Sequence, residues 1–166
     1  MREKQDMCVP CGDGIVNIRV GAIIARDGKF LMAGNDRNDY LYSVGGRIKM
    51  GESAEQAIVR EVFEETGVQM TVDRLAFVHE NLFISDMPGK DGKDVYEIGF
   101  YFTMNVPPDF EPRAEHFDDG GIREFLVWVA PDDPRTIYPD FFRTDALTPP
   151  PGVTFFSTDE RRRTLK

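Results

Sequence analysis

The stretch from Leu41 to Gly67 constrains this chain more than any other. Leu41-Tyr42-Ser43-Val44 reads as a short strand, and Gly45-Gly46 ends it. After a polar loop, Ser53 and Gln56 stand at the spacing of a capping box, and a helix-compatible run continues to Gly67, a natural C-cap. At about 100° per residue, Glu61, Glu64 and Glu65 share an arc of roughly 100° whose other occupants are Ala54 and Ala57. Ile58, Val59, Val62 and Phe63 occupy a separate arc, assigned to the core. Like charges one turn apart cost an isolated helix about 0.2–0.5 kcal/mol per pair. Arg60, one turn before Glu64, or a hard cation such as Mg²⁺ can offset that cost. A solvated acidic face would carry the same stripe, so spacing has to decide between the two.

The spacing is specific. Gly46, Glu52, Arg60, Glu61, Glu64, Glu65 and Gly67 follow the pattern G-x5-E-x7-R-E-U-x-E-E-x-G-U, with Val62 and Val68 at the aliphatic positions U. At about one chance match in fifteen per fixed position, the odds are on the order of 10⁻⁸. The segment resembles the Nudix box. That resemblance implies an α/β fold, a Nudix-type α/β/α sandwich with a mixed central sheet. It also implies hydrolysis of a diphosphate bond in a nucleoside diphosphate linked to another moiety, with Mg²⁺ or Mn²⁺ as cofactor. Carried over by position, it makes Glu61, Glu65 and Glu64 metal ligands, with Glu64 alternatively the water-activating base, and adds the backbone carbonyl of Gly45. Arg60 would orient the glutamates and Glu52 would support the site. Two positions depart from common family usage without touching a fixed one: Val44 where proline is frequent, and Lys49 where an acid is frequent. The alternative from another class is a nucleotide-sensing Nudix-like module without catalysis, which typically has lost box glutamates.

Outside the box the expectations rest on periodicity. In the strand Val95 to Met104, Tyr96, Ile98, Phe100, Phe102 and Met104 should enter the core, with Glu97, Gly99, Tyr101 and Thr103 opposite. Glu97 is a candidate catalytic acid or ligand beside a gap left by Gly99. Glu115, Asp118 and Asp119, read as a polar loop, offer further acids. Arg47 and Arg37 are candidates for binding substrate phosphate, and Tyr40 or Phe83 for stacking on a base. Ile15 to Ala25 and Lys29 to Met32 form a hairpin signature around Asp27-Gly28. Val68 to Val78, Leu82 to Ile84 and Phe125 to Val129 read as strands, and Phe141, Phe142 and Leu147 as a short helix.

With 166 residues, 41% hydrophobic and 11% aromatic, the chain has material for one globular domain. The reading divides it into a flexible segment 1–14, a hydrolase domain 15–148 and a tail 149–166, whose Arg161-Arg162-Arg163 is taken as a solvated terminus. A net charge of -9 argues against long nucleic acid as a partner, and against an RNA-end-processing enzyme, but not against a small diphosphate beside a cation. No segment has the apolar length of a membrane span or the apolar core of a signal peptide, so a cytoplasmic protein is expected. Cys8 and Cys11 lack the further ligands of a zinc site, His79 and His116 being the only histidines, and are read as incidental thiols. Oligomeric state is left open, a homodimer included.

Overall fold

Alternating apolar residues on both faces of the central strands produce two sheets with a core on each side. The computed structural model describes residues 5–86, 89–112, 115–117 (backbone only) and 121–161. Strands β1 (Cys8–Cys11), β2 (Gly14–Ile23), β3 (Ala25–Arg26), β4 (Lys29–Asn35), β5 (Tyr40–Ser43) and β6 (Gly45–Arg47) precede α1 (Ala54–Thr66), the single α-helix among the described residues. Strands β7 (Thr71–Ile84), β8 (Asp94–Asn105), β9 (Glu115–Phe117), β10 (Arg123–Val129) and β11 (Thr136–Tyr138) come next, then a 3-10 turn, Asp140–Phe142, and β12 (Thr154–Asp159). One sheet has the order β1-β2-β8-β7-β12 with β6 on β2; the other runs β11-β5-β4-β10-β9 with β3 on β4. Both are mixed: β2 pairs β8, β7 pairs β12 and β5 pairs β11 in parallel.

The first core joins Val20, Ala22 and Ile24 to Leu31, Phe102, Met104 and the helix residues Ala57, Ile58 and Val62. The second joins Ile23, Phe30, Met32, Phe77 and Val129 to Phe141, Phe142 and Ala146. Helix α1 therefore covers one side of the sheets. The other side is covered by the 3-10 turn and its flanks, where a short helix was expected. The hairpin around Asp27-Gly28 is present, with φ of 52° and 72°, the paired positive values of a tight β-turn. The expected separate strands between 68 and 84 are one strand with two bulges.

Both chain ends depart from the sequence reading. Cys8–Cys11, taken as part of a loose segment, is an edge strand antiparallel to β2, with Cys8 opposite Asn17. Both thiols are free, and the Lys90 ammonium donates to the Cys8 Sγ at 3.2 Å. Thr154–Asp159, taken as an appendage, is a parallel strand on β7. Thr154, Phe156 and Thr158 are the less exposed positions of this strand, and one apolar residue among the three is too few to announce it.

Candidate active site

Local sequence fixes the helix as expected. The Ser53 hydroxyl accepts from the Gln56 N–H at 3.1 Å, the Gln56 side chain accepts from the Ser53 N–H at 2.9 Å, and the Gly67 N–H returns to the Phe63 carbonyl. The buried face, however, is Ala57, Ile58, Val62 and Thr66, while Phe63 is 50% exposed. Phe63 therefore lies outside the core that helical periodicity assigned it to. With the buried arc centred between Ala57 and Val62, Glu61 and Glu65 fall inside it rather than on a stripe apart. The carboxylates are packed toward the sheet.

Each carboxylate has its own restraint. Arg60 forks onto Glu52, Nε to Oε1 and Nη2 to Oε2 at 2.9 Å each, and its Nη1 reaches Glu61 at 2.6 Å and Glu64 at 3.2 Å. Its Nη2 also donates to the Arg47 carbonyl, and the Lys49 N–H donates to Glu52. Burial opposes the charge on Arg60, but these carboxylates outweigh it and raise its pKa. Arg60 and Glu52 thus brace the loop against the helix. Glu65 lies on the far side, where the Gly45 N–H donates to its Oε1 at 2.9 Å. Gly45 has φ 144°, and a Cβ there would stand 2.2 Å from the Val20 carbonyl. At Gly46 a Cβ would stand 2.5 Å from the Glu61 carboxyl carbon. The glycine pair lets both carboxylates approach the backbone.

Burial raises the pKa of Glu61, partly offset by Arg60; burial and Glu61 together push Glu65 up to about 8, against its hydrogen bond from Gly45. Among the described residues no three His, Cys, Asp or Glu side chains already form a closed metal cage. The donor set nonetheless fits a hard divalent cation. Such an ion needs one or two carboxylates and keeps several waters, and Glu61 and Glu65, both with raised pKa, face a cleft whose lining holds a single arginine, Arg19, with Arg60 bound to Glu61 from outside that lining.

These groups line a cleft of about 1010 Å³ that also holds Asn17, Arg19, Asn81, Glu97, Glu124 and Thr158. Glu64 reaches it too, although half of its side chain is exposed. Glu97 faces the cleft, as alternation required, and its Oε2 accepts from the Asn17 Nδ2 at 2.7 Å. The sheet order β8-β2-β6 sets Arg19 between Glu97 and the helix glutamates, and Arg19 carries the field of Glu97, Glu65 and Glu61. Glu97 is thus in the cleft but apart from the carboxylate pair. The gap expected at Gly99 does not exist: the Tyr101 ring fills it, 2.7 Å from where a Cβ would sit, and covers Gly21 as well. Tyr96, expected in the core, is 41% exposed, and its hydroxyl donates to Glu80.

Neither arginine named from sequence lines the cleft. Arg47 pairs with Asp6 at 3.6 Å, and the Arg37 N–H donates to the Asn35 side chain at the surface. The cleft arginine is Arg19, which the sequence reading missed. Its signal was there: Asn17 and Arg19 interrupt the apolar alternation of β2 on one face, followed by Gly21. Glu124, close enough to raise the pKa of Glu65, was missed as well. Of the acids read as a loop, Glu115 begins strand β9 and Asp118 and Asp119 lie outside the described residues. His116 belongs to the same strand. Tyr40 and Phe83 both line the cleft.

No helix among the described residues is long and apolar enough to cross a membrane. Residues 16–147 match the NUDIX domain family. The chain is 40% identical over 118 residues to a CTP pyrophosphohydrolase of Escherichia coli, covering 69% of this chain and 76% of that protein. It is 32% identical over 108 residues to an ADP-ribose pyrophosphatase of Methanocaldococcus jannaschii, covering 54% of this chain and 64% of that protein, just under two thirds of its length. A MutT protein from Bacillus halodurans has the same fold, with a TM-score of 0.61 at 18% identity over 89% of this chain and 92% of that one. The chain belongs to the Nudix family and is a pyrophosphohydrolase.

Proposed function

We propose that the chain hydrolyses a diphosphate bond in a nucleoside diphosphate linked to a further moiety, with Mg²⁺ or Mn²⁺ bound by Glu61, Glu65 and the Gly45 carbonyl, and with Glu64 at the edge of the site. The observation that carries the reading is the pair of partly buried carboxylates, Glu61 and Glu65, held by Arg60 and Gly45 beside Arg19 in one cleft. A divalent cation bound there supplies neutralisation of the diphosphate and activation of water. Arg60 keeps Glu61 and Glu64 in place, and Glu52 keeps Arg60 in place. Arg19 binds a substrate phosphate from the sheet side, where its charge is the only Lys or Arg charge among the described residues lining the cleft. Glu64, exposed on one side and oriented by Arg60, takes the proton from the attacking water. The free thiols and the absence of an apolar spanning helix among the described residues support a cytoplasmic setting for a small-molecule substrate.

The relatives are named for CTP and for ADP-ribose, and both substrates contain the bond in question. Incubation with nucleoside triphosphates, ADP-ribose, nucleotide sugars and dinucleoside polyphosphates, with Mg²⁺ or with EDTA, tests the reading. Cation-dependent release of a nucleoside monophosphate is expected. Binding of these compounds with no turnover of any would point to the sensing module instead.

A further inference from the structure

The NUDIX match ends at residue 147, yet β12 beyond it supplies part of the cleft wall. It is firmly attached. Six residues pair in parallel with β7, and the Arg74 guanidinium donates to the carbonyls of Pro149, Pro150 and Gly152 in the approach. Phe156 stacks on the His79 ring at 4.8 Å, and Thr158 stands over the cleft floor. A passive appendage would need none of these contacts.

The hydrogen bonds around Thr158 have a direction. Its hydroxyl donates to the Asn81 Oδ1 at 2.7 Å, which uses its one proton, so its lone pair accepts from the His79 Nε2–H at 2.7 Å. Burial holds His79 near 4, so the ring is neutral at pH 7 and one tautomer serves. With its oxygen engaged by Thr158, Asn81 is left with its amide NH₂ as donor. Asn81 is opposite Glu97 on β8, on the same face, with Cβ atoms about 4.5–5.5 Å apart. The reverse amide orientation would set an oxygen against the carboxylate. Glu97 in turn takes one bond from Asn17, whose side chain is buried and whose Oδ1 has no partner in the structure. The row Thr158, Asn81, Glu97, Asn17 thus sets an amide donor, Asn81, beside a carboxylate acceptor, Glu97, on the cleft wall. Phe83, two residues along the same face of β7, adds an aromatic surface.

We infer that this row, held by β12, is the wall that recognises the nucleobase of the substrate and sets its base preference. The inference rests on the hydrolase reading above and deepens it. An adjacent donor and acceptor match the hydrogen-bonding edge of a base, and the ring of Phe83 matches its flat face. Arg19 on β2 is level with His79, so two strand spacings and a two-residue offset separate it from Asn81, about 12 Å. A 5′-nucleotide lying between the two side chains would span that separation from its phosphate to the edge of its base.

The test is binding of CMP, UMP, AMP and GMP to the full chain by calorimetry, alongside hydrolysis of the corresponding triphosphates. The wild type should bind one of the four at least about tenfold more tightly than the weakest, as a buried hydrogen-bonding wall discriminates. Thr158→Val, which keeps shape and strand propensity but removes the relay, should compress that spread below about threefold. Asn81→Asp, which replaces the donor by a second carboxylate, should do the same or reorder the four, and serves should Thr158→Val fail to fold. Ser157→Ala, on the opposite face of β12 where the hydroxyl donates to Glu80, should leave the spread unchanged. A wild type indifferent to the base, or a spread that survives both Thr158→Val and Asn81→Asp, overturns the inference. So does a spread lost equally in Ser157→Ala. Hydrolysis without base preference would sink this wall alone. Base-selective binding without hydrolysis would sink the hydrolase reading and leave the wall.

Discussion

Replacing Glu65 with Gln should stabilise the metal-free protein while removing its activity. In the absence of a cation, burial and the neighbouring Glu61 raise the Glu65 pKa from 4.5 to about 8. The folded state therefore favours the protonated form. Stability from this group is complete below about pH 4.5 and is lost as pH rises toward 8. Between 4.5 and 7 the loss is at most about 3 kcal/mol, and partial solvent access reduces it to about 1–2 kcal/mol. Gln mimics the protonated acid and keeps the acceptor for the Gly45 N–H, so it should recover that amount, about 2–8 °C in melting temperature for a chain of this size. Glu61 shifts in the same direction; His79, held near 4 from 6.5, contributes stability that is complete above 6.5 and is lost as pH falls through 4. Melting scans from pH 6.5 to 8 therefore isolate the carboxylates. In EDTA the wild type should lose stability across that range and Glu65→Gln should lose less. Millimolar Mg²⁺ should raise the wild-type melting temperature and leave the variant nearly unmoved, and kcat should fall at least about 10²-fold. A variant less stable than wild type in EDTA, or equally stabilised by Mg²⁺, would refute the reasoning.

Other perturbations probe the rest of the site. Val62, fully buried against the first core, should cost on the order of 1–3 kcal/mol when cut to Ala; an unchanged denaturation midpoint would contradict the packing of α1. Arg60→Ala releases Glu52, Glu61 and Glu64 together and should lower kcat at least about tenfold, with Arg60→Lys only partly restoring it because one ammonium cannot make the fork. Arg19→Ala should raise KM at least about tenfold, and a wild-type KM would remove Arg19 from phosphate binding. Glu97→Gln should raise KM about tenfold with kcat within about threefold; a fall in kcat at saturating substrate would return Glu97 to proton transfer.

The box was legible because its requirements are local. Ser53, Gln56 and Gly67 cap one helix, Gly45 and Gly46 allow close approach, and the glutamate spacing follows from helical pitch. What could not be read depended on tertiary pairing. A periodicity of apolar residues does not say which arc of α1 meets the sheet, so Phe63 was placed inside and the depth of Glu65 was missed. Arg19 looked like a flaw in an apolar strand until β2 lay beside β8 and aligned Asn17 with Glu97. The gap at Gly99 was filled by a residue only two places away, because successive same-face positions of one strand are neighbours. β12 needed β7 to become a strand at all.

The charge of the cleft bears on the form in which substrate enters. Among its described lining residues are nine carboxylates, Glu61, Glu64, Glu65, Asp86, Glu97, Glu124, Asp140, Asp159 and Glu160, against Arg19 alone. His79 is neutral there. Two like charges at 4 Å near a protein surface repel by about 4 kcal/mol, so a bare diphosphate meets a field of its own sign in a protein already at -9. Arg19 answers one phosphate charge at most. Complexing with a divalent cation removes two of the negative charges of the diphosphate and brings a cation to Glu61 and Glu65. The cation-complexed diphosphate is therefore the species this cleft admits, and free nucleotide should lower the rate only by withdrawing cation. At fixed total nucleotide, the initial rate should follow the complexed fraction as Mg²⁺ is varied; a rate that follows free nucleotide instead would mean that the acidic lining does not select what enters.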